Sequence, residues 1–133
     1  MAPRLLTLLA SITIAACTSS TGLKRISLTG TYDGDYSTTN QPATLYQAEI
    51  QIVQNGDTVW GTLHTTSGHS AIVHGPIIGP FLAMRVAFND TCGGTATTSF
   101  AKITEDGRHL AGNFNASGGC DGQYNATYSL TKQ

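Results

Sequence analysis

Residues 29–37 (TGTYDGDYS) and residues 122–130 (GQYNATYSL) decide the fold, because they carry one pattern at the two ends of the patterned part of the chain. In both stretches large apolar side chains alternate with polar ones, so an extended strand presents one apolar and one polar face. The side chains expected on the apolar face are Tyr32, Tyr36, Tyr124, Tyr128 and Leu130. If these are the first and last strands of one sheet, their pairing closes the sheet into a barrel and leaves no exposed edge.

The same period-two alternation, broken by Gly, Asn and Asp, continues between the two stretches, and no helical period persists over about ten residues. We therefore predict an all-β domain, an eight-stranded antiparallel up-and-down barrel. The expected strands lie at about 29–37, 45–54, 58–66, 70–76, 81–89, 95–103, 108–115 and 122–131.

The connections are expected to alternate in length. Short turns are predicted at Asn55-Gly56-Asp57, Ile78-Gly79-Pro80 and Glu105-Asp106-Gly107, and longer connections near Asn40, Gly68, Gly93 and Gly118. This alternation places all the short turns at one end of an up-and-down barrel and the longer connections at the other.

The inward face of the remaining strands follows from the same alternation. The side chains expected inside are Ala48, Ile50, Ile52, Val59, Leu63, Val73, Leu82, Met84, Val86, Phe88, Ile103, Leu110 and Phe114. Eight strands enclose an interior that side chains of this size fill, or that holds one small ligand. Gly30, Gly34, Gly61 and Gly112 are expected where the backbone bends or approaches a neighbouring strand.

Residues 1–16 have the order of a secretory signal peptide, since Arg4 precedes an uncharged apolar run that ends in small residues. The run is shorter than the roughly 20 apolar residues that a membrane-spanning helix needs. The stretch Ile14-Ala15-Ala16-Cys17 resembles the lipobox of bacterial lipoproteins, whose cysteine is lipidated and becomes the new N-terminus. The resemblance implies lipidation of Cys17. Residues 17–28 are then the lipidated N-terminus and a short polar tether, and the alternating residues 29–133 are the barrel domain.

Export and a lipid anchor in the cell envelope follow from the same resemblance, so the membrane is an expected partner. Thr18 stands after the cysteine, where an Asp would indicate retention in the inner membrane. In a Gram-negative host, the resemblance therefore implies the outer membrane.

The chain has three cysteines, and two of them are expected to form a disulfide. With Cys17 committed to lipid, Cys92 and Cys120 leave one intramolecular pairing, which an exported compartment permits. Cys92 falls between the fifth and sixth predicted strands and Cys120 between the seventh and eighth. Both are therefore expected at the end with the longer connections.

Composition and motifs exclude several classes of function. Seven Lys and Arg stand against eight Asp and Glu, a formal net charge of −1 without any charged block, so nucleic acid is not an expected partner. Nucleophile, phosphate-loop and dinucleotide motifs are missing, so we predict no catalytic residue and no enzyme. His64 and His74 should point outward on separate strands, away from His69, so no metal or other cofactor is predicted.

The Trp60-Gly61-Thr62-Leu63 strand and the repeated Gly-x-Tyr pattern resemble small calycin-type barrels, the group that includes lipocalins and avidins. We predict a non-enzymatic binding module whose long connections engage an envelope or extracellular protein. An alternative is a lipocalin-like carrier of a small apolar ligand, which needs an interior of about 300 Å³. The side chains that could line that ligand are Tyr32, Tyr36, Trp60, Tyr124 and Tyr128. A protease or lysozyme inhibitor and a purely structural envelope lipoprotein are further alternatives.

Overall fold

The computed structural model describes residues 26–89, 91–98, 100–119 and 122–133. The predicted signal peptide, Cys17 and Cys120 lie outside these residues. The described part contains no helix of the length and hydropathy that crossing a bilayer requires.

Buried and exposed residues alternate along the long strands. In the last strand Tyr124, Ala126, Tyr128 and Leu130 are buried while the residues between them are exposed. The strands are β1 (Gly30–Thr38), β2 (Gln41–Asn55), β3 (Thr58–Thr65), β4 (Ser70–Ile78), β5 (Phe81–Leu82), β6 (Arg85–Phe88), β7 (Thr95–Thr97), β8 (Ala101–Ile103), β9 (His109–Gly119) and β10 (Gly122–Lys132).

These ten segments form one antiparallel sheet that closes on itself. Both β5 and β6 pair with β4 and together make one barrel strand, while β7 and β8 both pair with β9 and make another, which leaves eight barrel strands. The ring closes where β1 pairs with β10, from Tyr32 opposite Lys132 to Thr38 opposite Ala126. The predicted eight-stranded antiparallel barrel is confirmed.

The fifth and sixth barrel strands, which the sequence predicts as continuous, are each interrupted, between β5 and β6 and between β7 and β8. In the sixth barrel strand the alternation changes phase, since Thr98 and Ala101 are both buried although strict alternation would put them on opposite faces. An extra residue in one strand has this effect and is the mark of a β-bulge.

The two ends of the barrel differ. Residues 26–29 enter at the end that carries the turns at 56–57, 79–80 and 104–108, which we call the closed end. The opposite end, which carries the connections that follow β1, β3, β6 and β9, we call the mouth. The three predicted short turns are confirmed, and Gly56 and Gly79 take the positive φ values of 60° and 58° that such turns require.

The longer connection expected near Asn40 is wrong. Only residues 39–40 separate β1 from β2, because β2 begins at Gln41 rather than near residue 45. Residues 41–45 are all exposed. The β1–β2 pairing therefore continues to Gln41 in a region where neither face is buried, so the sequence shows no apolar alternation there.

The longer connection expected near Gly118 is also wrong, because β9 runs on to Gly119, beyond its predicted end near residue 115, and β10 begins at Gly122. Ala116 is buried in phase with Leu110, so the alternation itself continues past residue 115.

The closed end is sealed by the segment that precedes β1. Leu28 is buried in the core, and its amide donates to Oε1 of Gln54 over 2.7 Å. The hydroxyl of the fully buried Tyr32 donates to the carbonyl oxygen of Gly107 over 2.7 Å. Part of the stretch assigned to the tether, residues 26–28, therefore packs against the barrel.

Three inward-facing glycines allow the strands to bend tightly around the core. A Cβ on Gly34 would lie 1.9 Å from the carbonyl oxygen of Ser129, and one on Gly61 would lie 2.0 Å from that of Gln51. On Gly75 the corresponding distance, to the carbonyl oxygen of Ala83, is 1.8 Å. The close approach expected at Gly34 and Gly61 is confirmed, and Gly75 adds a third site.

The core contains every side chain expected to point inward, with Leu63, Phe88 and Phe114 partly rather than fully buried. It also contains Leu28 and several alanines that were not predicted, namely Ala71, Ala96, Ala101, Ala116 and Ala126.

We expect Gly34→Ala to lower the free energy of unfolding by about 3 kcal/mol or more, because the added methyl meets backbone that must shift. Ser129→Ala, on the exposed face of the paired strand, should change it by less than about 0.5 kcal/mol. Guanidinium unfolding followed by circular dichroism measures both. Equal stabilities of the two variants would rule out the close approach of β1 to β10.

Candidate functional site

The mouth half of the interior contains a cavity of about 50 Å³. Its wall is made by inward-facing side chains of nearly every barrel strand, among them Val73, Met84 and Leu130, and is almost wholly apolar. Since one water needs roughly 10–15 Å³, the cavity admits a few waters, whereas an apolar cavity that binds benzene measures about 150 Å³. The cavity here does not reach the interior of about 300 Å³ expected above for a lipocalin-like carrier, so by itself it does not hold a ligand of that size.

Small residues account for the unfilled space. Ala48 and Ala96 project into the cavity where neighbouring strands carry larger side chains. Gly112 stands directly opposite Tyr128 in the β9–β10 pair, and a Cβ on Gly112 would lie 3.4 Å from the Tyr128 hydroxyl. The missing side chain therefore leaves room for the tyrosine ring.

A second recess, of about 180 Å³, adjoins the cavity at the mouth and shares Tyr36, His69 and Tyr124 with it. We call this recess the vestibule. The rings of Tyr36 and Tyr46 stack with centroids 5.1 Å apart, and the hydroxyls of Tyr36 and Ser67 are 2.5 Å apart. The vestibule is thus aromatic, with hydroxyl groups at its rim.

Phe114 joins the aromatic side chains around the cavity. Its ring centroid lies 6.2 Å from that of Tyr36 and 6.1 Å from those of Tyr124 and Tyr128. These contacts bring β1, β9 and β10 together at the point where the ring of strands closes. A flat apolar group entering the mouth would meet ring faces and ring edges, which are favourable partners for another ring.

The Tyr128 hydroxyl is the exceptional polar group of this interior. It is buried and makes no hydrogen bond to the described residues. Burial raises the pKa of Tyr128 to about 12, and the nearby Thr98 hydroxyl opposes the rise without reaching bonding geometry. Thr98, also buried, lines the same cavity. A buried hydroxyl that lacks a partner costs about 1–3 kcal/mol, so this position favours an incoming acceptor.

Of the five side chains predicted to line a ligand, Tyr36, Tyr124 and Tyr128 come together around the cavity. Tyr32 is buried at the closed end instead, where its hydroxyl is bonded to Gly107. Trp60 lies on the outer face, because alternation turns its neighbours Val59 and Gly61 inward; its ring packs on His74 with centroids 5.0 Å apart.

Sequence reasoning missed Thr98, Tyr46 and His69 as members of the site. His69 lies at the mouth, with its ring centroid 5.3 Å from that of Phe88. Because of the β-bulge, strict alternation did not predict the inward position of Thr98. Tyr46 is in phase with the inward-facing Ala48 and Ile50, so alternation along β2 could have identified it.

Cys92 lies exposed in the connection between β6 and β7, at the mouth, while Cys120 is outside the described residues. Its pairing with Cys120 stays a prediction. Within the described ranges no three His, Cys, Asp or Glu side chains come together in an arrangement that could hold a metal ion.

No protein-family model matches the chain, and no curated protein is similar to it in sequence. Among solved structures, the chain is similar to a redesigned β-barrel, mFAP1, bound to DFHBI. The TM-score is 0.58 at 12% sequence identity, and the match covers 79% of this chain and 94% of that one. At this identity the likeness shows the fold alone, a small closed β-barrel.

The stability of the barrel should fall as the pH rises from 10 to 12. Burial raises the pKa of both Tyr32 and Tyr128 to about 12, so the folded state keeps protons that the unfolded state loses above pH 10. Between these two pKa values each tyrosine contributes a loss that approaches about 1.4 kcal/mol per pH unit. Urea unfolding at pH 9, 10 and 11 measures the slope, which Tyr128→Phe should roughly halve. A free energy of unfolding that does not change over this range would contradict the burial of both phenols.

Proposed function

We propose that this chain is a non-enzymatic binding module that takes a small apolar ligand through the mouth of its barrel. The ligand places a small apolar end in the cavity, directs a hydrogen-bond acceptor at the Tyr128 hydroxyl and extends into the vestibule. The observation that carries this proposal is the buried Tyr128 hydroxyl, which makes no hydrogen bond to any described residue and faces an almost wholly apolar cavity.

A water molecule satisfies this hydroxyl less well than a ligand does. A buried water typically makes about three hydrogen bonds. Beside the Tyr128 hydroxyl, the buried polar groups of the described cavity wall are that hydroxyl and the Thr98 side chain, which is fewer than such a water needs. A carbonyl or ether oxygen carried on an apolar body needs only one donor. Its apolar remainder is stabilised by the same side chains that exclude water.

The vestibule supports a ligand that is longer than one ring. It adjoins the cavity through Tyr36, His69 and Tyr124, so a ligand can extend from the cavity into the mouth. Asn40, Gln41 and Ser67 at its edge suit a polar end that faces water. The similar barrel mFAP1, which is bound to DFHBI, is a precedent for a small molecule held by this fold.

We propose further that the module is exported and anchored to the cell envelope by lipid on Cys17. The proposal rests on the lipobox-like stretch Ile14-Ala15-Ala16-Cys17. The position of residues 26–29 at the closed end supports an arrangement in which the mouth faces away from the membrane.

A disulfide between Cys92 and Cys120 is part of this proposal. Thr95 stands opposite Ser117 in the β7–β9 pair, so the described segments next to the two cysteines in the sequence lie side by side. The two segments also lie close together, since a Cβ on Gly94 would be 2.6 Å from the amide nitrogen of Gly119. The bond would brace the mouth.

Two ligands of similar shape test the role of Tyr128. We expect acetophenone, which has a carbonyl acceptor, to bind about tenfold more tightly than ethylbenzene, because only the ketone accepts from the hydroxyl. In Tyr128→Phe the two affinities should become equal. Isothermal titration calorimetry of the purified barrel measures all four dissociation constants.

Tyr32→Phe is the matched control, because it removes a buried hydroxyl at the closed end, away from the cavity. It should lower stability and leave the preference for acetophenone unchanged. Binding of neither compound, or a preference that survives in Tyr128→Phe, would overturn the proposed site.

The mass of the mature protein from a bacterial host tests the anchor and the disulfide together. We expect a chain that begins at Cys17 and carries acyl groups, with a mass lower by the hydrogens that one disulfide removes. Cys17→Ser should lose the acyl groups and remain unprocessed. A mature wild-type chain without lipid would refute the anchor, and a fully reduced mass would refute the Cys92–Cys120 bond.

A further inference from the structure

Large apolar side chains are exposed on the outer face of the barrel near the closed end. They are Val53, Trp60, Ile78, Phe81 and Phe100, and we call them the apolar band. Their exposed fractions run from 37% for Phe81 to 63% for Phe100. Apolar residues scattered singly need no explanation, but a group of this size marks an interaction surface.

The members of the band are neighbours. Val53 stands opposite Trp60 on either side of the turn at 56–57, and Ile78 stands opposite Phe81 on either side of the turn at 79–80. The rings of Phe81 and Phe100 meet edge to face with centroids 5.7 Å apart. The band therefore runs across adjoining strands, from β2 to the sixth barrel strand. Most of it lies beside the closed-end turns, and Phe100 extends it toward the mouth, where its neighbours include Thr97 and Asn113.

We propose that the apolar band contacts the interface of a lipid bilayer. This inference rests on the proposed lipid anchor. The nine residue steps from Cys17 to Ile26 span at most about 30 Å, so a lipid on Cys17 keeps the closed end beside the membrane surface. Trp and Phe side chains are well suited to that interface, where an amphipathic ring meets both headgroups and acyl chains.

Charge has little part in this contact. Asp57 and Asp106 lie among the closed-end turns together with Arg108, and Lys102 stands opposite Phe81. Opposite signs are mixed there, so the contact rests on apolar burial and does not require anionic lipid. Membrane contact at the closed end also leaves the mouth open to the solvent on the far side of the barrel.

Trp60 is the single tryptophan of the chain, so its fluorescence reports directly on the band. The mature lipoprotein is reconstituted into phosphatidylcholine vesicles with or without bromine on the acyl chains. We expect brominated lipid to reduce the emission at least about twofold, because the ring lies at the interface. The double variant Phe81→Ser, Phe100→Ser should lose most of this quenching. Leu45→Ser, which removes an equally exposed apolar side chain on the mouth side of β2, should keep it.

A second form separates the band from the anchor. In this form, residues 18–133, which contain the whole described barrel, are produced with an N-terminal hexahistidine tag. A nickel-chelating lipid in the vesicle then holds the tag, so the barrel is kept at the membrane without Cys17. Quenching in this form supports the band even if Cys17 proves not to be lipidated, in which case only the proposed anchor fails. Absence of quenching in both membrane-held forms overturns the band. A third result would also overturn the proposal. If the protein sediments as a dimer, and Trp60 is shielded from aqueous iodide but is not quenched by brominated lipid, the apolar band contacts a second copy of the chain.

Discussion

The pairing of β1 with β10 is the contact on which the rest of the structure depends. It sets Tyr36 opposite Tyr128, so the two rings reach the same cavity from adjoining strands. It is possible only because Gly34 has no side chain at the point where the carbonyl oxygen of Ser129 passes. Gly61 and Gly75 allow similar bends elsewhere in the ring. Closure therefore fixes both the shape of the interior and the side chains that face it.

The two ends of the closed ring differ in how completely they are filled. At the closed end Leu28 and Tyr32 are buried, and the recess of about 660 Å³ found there lies outside them, bordered by Ile26, Ile77 and Glu105. Beneath the mouth, an apolar cavity lies among the core side chains themselves. The buried tyrosines show the same contrast, since Tyr32 donates to the carbonyl oxygen of Gly107 while the Tyr128 hydroxyl has no described partner. Buried polar groups in folded proteins are nearly always hydrogen-bonded, and an acceptor on a bound ligand would supply the partner of the Tyr128 hydroxyl. The proposed functions of the two ends, ligand binding and membrane contact, follow from this asymmetry.

Much of this barrel is predictable from the sequence, because apolar and polar residues alternate along every strand that has one buried and one exposed face. The prediction failed at residues 41–45, where the strand is exposed on both faces and no alternation exists. A β-bulge concealed Thr98, since one extra residue reverses the phase of every position after it. Trp60 was assigned to the ligand by its chemical type, although its neighbours Val59 and Gly61 already place it outside. Neither the missing partner of Tyr128 nor the clustering of the apolar band is visible before the strands are brought together.

The central claim is that the interior beneath the mouth holds the ligand, and intermolecular nuclear Overhauser effects test it most directly. Ring protons of bound acetophenone should show effects to methyl groups inside the barrel, those of Val73 and Met84. Ile72, between Ala71 and Val73 on β4, points outward and should show none. Effects to Ile72 or Val53 without any to Val73 and Met84 would place the compound on the outer surface and contradict the account.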